Sequence, residues 1–101
     1  MTLSGQEVAE QHREDPFTAG LRAAGLKLTA QRTAICTALA GMAGKKHPTV
    51  QEIFEAARLH HPGVSLATVY NTLTDLKERG LLYELGLDAA GAVHYELEVD
   101  T

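Results

Sequence analysis

The chain has 101 residues, enough for one compact domain and too few for two independent cores. Hydrophobic residues at 45% and charged residues at 22% are ordinary globular usage, which excludes the polar, highly charged composition of chains that stay unfolded. The net charge of -4 argues at first against a nucleic-acid partner, and the single cysteine, Cys36, excludes an internal disulfide or a CxxC zinc clamp within these residues.

No apolar run reaches the roughly 18 residues of a membrane span, and the polar, acidic start does not read as a signal peptide, so the expected location is the cytoplasm, with no membrane partner. Charge is unevenly spread. Residues 1–16 hold one Arg against four acids, and 84–101 hold five acids with no Lys or Arg. Between them, residues 17–50 hold Arg22, Lys27, Arg32, Lys45 and Lys46 with no acid, so a basic segment lies inside an acidic envelope.

Residues 1–14 are expected to be a flexible segment, and a domain is expected over 15–99. Asp15-Pro16 is a helix start, a capping carboxylate followed by proline at the first helical position, and Phe17, Leu21 and Ala24 repeat at helical spacing up to Gly25. Thr29 can cap a second helix whose Ile35, Ala38, Leu39 and Met42 form one apolar stripe, closed by Gly41 and Gly44. Thr49 with Glu52 three residues later is a capping box for a third, whose Val50, Ile53, Phe54 and Ala57 run toward His60-His61-Pro62-Gly63.

Ser65 can cap a fourth helix with an inner stripe of Leu66, Val69, Leu73 and Leu76, stopped by Gly80. Opposite that stripe stands Asn71, with Ala67, Thr68 and Thr74 beside it and Tyr70 on the flank. The period then becomes two. Leu81, Tyr83, Leu85 and Leu87 alternate, Asp88-Ala89-Ala90-Gly91 turns, and Val93, Tyr95, Leu97 and Val99 alternate again, a β-hairpin. The expected fold is mainly α with a hairpin (α+β): a winged helix-turn-helix of about four helices followed by a two-stranded wing.

Four blocks, GLKLTAQRTAI at 25–35, HPTVQEIF at 47–54, VSLATVYNTLTDLKERGLL at 64–82 and GAVHYE at 91–96, resemble in order and spacing the N-terminal half of the ferric uptake regulator family. The resemblance implies a metal-dependent transcriptional repressor that binds two-fold DNA operators as a homodimer. A second domain of the family supplies the dimer interface and most metal ligands. That domain is expected to be absent from this chain, leaving a DNA-binding domain that is monomeric alone.

Residue by residue, the resemblance makes Tyr70 a base contact and Asn71 the next contact position, where many relatives carry Arg. It makes Ser65 and Thr68 phosphate-facing hydroxyls, Lys27 a minor-groove lysine, and Arg32 a backbone contact beside the Thr29 helix start. Ala67 joins them on the outer face. Phosphate contact by Lys27 and Arg32 is further expected because no acid lies near them in sequence to neutralise them. Lys45 and Lys46, in a Gly-flanked loop, read more simply as solubilising.

Of the five histidines, His60 and His61 are adjacent and point about 100° apart on a helix, so they cannot clamp one ion from one face, and His12 lies near the start. His47 and Glu96 match the two sensory-metal ligands that the family's DNA-binding half contributes, a partial site for divalent iron, zinc or manganese that is incomplete in this chain. His94, two residues before Glu96 on a strand, faces the same side. Glu96 stands where peroxide-sensing relatives typically have Asp, which points toward a metal sensor.

No Gly-rich phosphate loop or catalytic carboxylate pair is present, and Cys36 reads as a small buried hydrophobe without an activating base, so no enzyme is expected. The alternative from another class is a winged-helix protein-interaction module, whose acidic hairpin from Glu84 to Asp100 would repel phosphate.

Overall fold

A computed structural model describes residues 14–97. The expectations for residues 1–13 and for Val99 fall outside them. Four helices are followed by an antiparallel hairpin: α1 Pro16–Ala23, α2 Ala30–Met42, α3 Val50–His60, α4 Leu66–Glu78, β1 Leu82–Leu87 and β2 Val93–Leu97. This is the winged helix that the periodicities predict.

Each helix begins where its cap residue puts it. The Asp15 carboxylate accepts from both the backbone N–H and the hydroxyl of Thr18, and Pro16 opens α1. Thr29 accepts from the Arg32 N–H at the start of α2. At α3 the capping box is complete, with Thr49 accepting from the Glu52 N–H while the Glu52 carboxylate accepts from the Thr49 N–H. Ser65 caps α4, and Gly80, at φ 73°, takes the left-handed conformation that ends it cheaply.

The core is built from Phe17 and Leu21 of α1, Ile35 and Leu39 of α2, Ile53 of α3, Val69 and Leu76 of α4, and Leu82 of β1, all fully buried. Cys36 is buried with them as the sequence suggests, and burial pushes its thiol pKa up to about 12.

Three stripe assignments change. Ala24 is the exposed C-cap of α1 and packs on nothing in the core. Leu66, the first residue of α4, is 38% exposed, and Thr72 takes a fully buried place. Its hydroxyl donates to the Thr68 carbonyl at 2.7 Å, which satisfies the polar group without a partner from another element.

On β1 the apolar alternation does not mark the buried face. Leu82 is buried while Tyr83 and Leu87 are exposed, and the ladder loses its regular register between Glu84 and Leu87. An irregularity there shifts the side-chain phase, so residues before and after it cannot share one alternation. On β2, Tyr95 and Leu97 face inward as expected.

Candidate nucleic-acid interface and metal corner

The outer face of α4 is as the helical phase places it. Ala67, Tyr70, Asn71 and Thr74 are exposed and Thr68 half-exposed, while Val69, Leu73 and Leu76 hold the opposite face in the core. The helix thereby presents an amide, an aromatic ring and threonine methyls on a rigid element, the groups that read adenine edges and thymine methyls in a major groove. At its start, the Ser65 Oγ accepts from the Thr68 N–H and lies 2.8 Å from the Thr68 hydroxyl. One of these two O–H groups donates to the other oxygen, which leaves one O–H free to face a phosphate beside the positive end of the helix.

Among the described residues, Lys27, Lys45 and Lys46 are exposed and make no ion pair. Arg32 differs. Its guanidinium donates to the Asp75 carboxylate of α4 at 2.8 Å, with the two side chains 19% and 25% exposed. The expectation that no acid neutralises Arg32 is therefore corrected: the acid is remote in sequence and adjacent in the fold. Thr29 is exposed but serves as the α2 cap.

The acidic hairpin is also less bare than its sequence. Glu84 accepts from the Lys77 ammonium at 3.1 Å, and Asp88 accepts from His94 at 2.7 Å. The described residues carry eight basic and nine acidic side chains, so most of the chain's excess acid belongs to the terminal residues of the sequence.

The second region lies where residues 47–49 run beside β2. Thr49 pairs antiparallel with His94, and the Tyr95 N–H donates to the Pro48 carbonyl at 2.9 Å. The same register carried back two residues sets His47 opposite Glu96 on one face. Both line a pocket of about 240 Å³ with Lys45 and Lys46. The structure thus brings together the two candidate ligands and adds two ammonium groups that the sequence did not place there.

His94 shares their face but its ring is engaged. Nδ1 lies 2.6 Å from the His47 carbonyl and Nε2 2.7 Å from the Asp88 carboxylate, both pure acceptors, so the ring in this arrangement donates from both nitrogens. Those bonds, the His47 carbonyl foremost, hold its pKa above the ordinary histidine value, and the same ring together with the Ala92 and Ala90 amides holds Asp88 below the usual carboxylate range.

A sequence profile of the ferric uptake regulator family matches residues 23–101. The chain belongs to that family. Among curated relatives, the peroxide-responsive repressor PerR of Staphylococcus aureus is 39% identical over 75 residues, which cover 74% of this chain and 49% of that protein. PerR of Staphylococcus epidermidis is 36% identical over 83 residues. The chain spans about half the length of these curated relatives.

Among solved structures, the ferric uptake regulator of Pseudomonas aeruginosa with manganese superposes with TM-score 0.65 at 33% identity, covering 81% of this chain and 60% of that one. A manganese uptake regulator shares the fold with TM-score 0.73 at 21% identity, covering 88% of this chain and 63% of that chain. The chain is thus similar to a ferric uptake regulator solved with manganese and, at 27% identity, to a PerR solved with zinc.

The donor chemistry on the page fits part of a metal site. One imidazole and one carboxylate line the same pocket, but no group of three His, Cys, Asp or Glu side chains able to hold an ion occurs among the described residues. Transition metals usually take three or four protein ligands, so His47 and Glu96 would hold an ion only together with donors from outside this set. His60 is the last residue of α3 and His61 its extended C-cap, and neither lines the pocket at His47 and Glu96. Sequence reasoning missed Gln31, whose side-chain oxygen accepts from the Ser65 N–H at 3.1 Å, and Asp75. No local pattern signals either contact, because each spans more than thirty residues of chain.

Proposed function

We propose that this chain is the DNA-binding domain of a metal-responsive transcriptional repressor and that α4 enters the major groove at one operator half-site, with the β1–β2 hairpin as the wing. The observation that carries the reading is the division of α4 into a buried apolar face and an exposed face of Ala67, Tyr70, Asn71 and Thr74. Tyr70 and Asn71 read bases, the free hydroxyl of the Ser65–Thr68 pair and the Thr29 end of α2 face phosphate, and Lys27 reaches the minor groove. His47 and Glu96 contribute one nitrogen and one oxygen to a sensory site for divalent iron, zinc or manganese. Bound metal would draw this domain against the donors that complete the site, fixing the angle at which two copies meet a two-fold operator.

The role is regulatory and cytoplasmic, without catalysis. The domain alone is a monomer, and two half-site contacts gain affinity through effective concentration once copies are linked. A tight dimer at micromolar concentration in sedimentation would contradict this. A second reading, response to peroxide, is favoured by the names of the curated relatives. Glu96, in place of the Asp of peroxide sensors, favours metal.

The test is a mobility-shift titration on a random-sequence duplex library at rising salt, followed by sequencing of the bound fraction. DNA reading predicts that log affinity falls linearly with log salt and that one motif is enriched. A protein-interaction module predicts neither, and that result would overturn the proposal.

A further inference from the structure

We propose that Gln31 and Arg32 are positioning residues that set the direction of α4, and with it the choice of base sequence, in place of the phosphate contact expected of Arg32. The inference rests on the DNA-binding reading above. Both residues stand on the first turn of α2, and each reaches α4 at a different level. The Gln31 side-chain oxygen accepts from the backbone N–H of Ser65, the cap residue of α4, at 3.1 Å, and Arg32 Nη2 donates to Asp75 Oδ2 at 2.8 Å. Ser65 and Asp75 are ten residues apart, about 15 Å along a helix.

One attachment fixes a position, whereas two at that separation fix an axis. Hydrogen bonds to base edges are directional, so a tilt of α4 degrades the fit to the correct base while leaving attraction to phosphate nearly unchanged. The Arg32–Asp75 pair is also mostly shielded from solvent, with side chains 19% and 25% exposed. A guanidinium moving from there to a phosphate would leave the Asp75 carboxylate half-buried and unpaired on the very helix that faces DNA.

The duplex enriched by the wild-type chain and a shuffled duplex of the same composition serve as probes, and the ratio of the two affinities is the readout. Gln31→Ala and Asp75→Asn should each lower that ratio by about fivefold or more, since a displaced helix loses part of the discrimination that a good base contact gives. Melting temperature and salt slope should stay close to wild type in Gln31→Ala, which alters no charge and carries the test alone if Asp75→Asn folds poorly.

A phosphate-binding Arg32 predicts the opposite pattern. Asp75→Asn would then raise affinity for both duplexes equally, and Arg32→Ala would weaken both and reduce the salt slope by about 0.9. That pattern, or an unchanged ratio in Gln31→Ala, overturns the inference alone. A wild-type chain that enriches no sequence overturns the DNA-binding reading, and this inference with it.

Discussion

The outer face of α4 and the corner at His47 and Glu96 are both candidate functional sites, but they are built differently. The first is carried by one helix, with every exposed group supplied between Ser65 and Thr74 and the opposite face locked into the core by Val69, Leu73 and Leu76. The second is brought together by a three-residue stretch lying against β2, and it offers two donors where a transition metal usually takes three or four. On the proposed function, the reading surface is whole within the domain and the sensing site is a half. Under that proposal, metal would act on a domain that is already folded, by orienting it.

The largest expected effect tests the inner side of that helix. Leu73 is 3% exposed, so Leu73→Ala should lower folding stability by about 2–5 kcal/mol, measured by denaturant or thermal unfolding. A silent Leu73 would break the two-faced account of α4. Asn71 is exposed, so Asn71→Ala should weaken binding to the enriched duplex by about 1–3 kcal/mol while melting is unchanged. An unchanged affinity would remove the base-reading role of that position.

The other half of the comparison predicts small effects. The purified domain should carry no stoichiometric metal by elemental analysis, and its melting curve should not respond to a chelator. One tightly held equivalent of zinc, iron or manganese would show that the corner is a complete site after all.

Cys36 gives the mildest test of the core that supports both regions. Its thiol is raised from 9.0 to about 12 by burial, so the folded state resists ionisation more than the unfolded chain does. The stability this contributes is fully present below pH about 9 and is lost as pH rises toward about 12. Native protein at pH about 8 should therefore react with iodoacetamide far more slowly than unfolded protein. Equal rates would place the thiol at the surface.

The sequence made the helices legible because their signals are local. Asp15-Pro16, Thr29, the Thr49–Glu52 box and Ser65 each satisfy backbone groups within four residues, and the structure shows those same bonds. The face of α4 follows from helical phase alone, apart from the exchange of Leu66 for Thr72. What the sequence hid is tertiary. The irregular register between Glu84 and Leu87 resets the alternation of β1, and Asp75, unremarkable on α4, neutralises an arginine on another helix. For His47 and Glu96 the family resemblance named the residues, but their common face and the two flanking lysines follow from the pairing of residues 47–49 with β2.

The central claim is that α4 is the surface that meets DNA. Titrating the isotopically labelled domain with the enriched duplex and following backbone amide resonances tests it residue by residue. The account predicts the largest shifts at Ser65–Thr74 and at Lys27 and Thr29, with His47 and Glu96 nearly unmoved. Shifts centred on the exposed end of α3 around Leu59, with α4 unmoved, would contradict it.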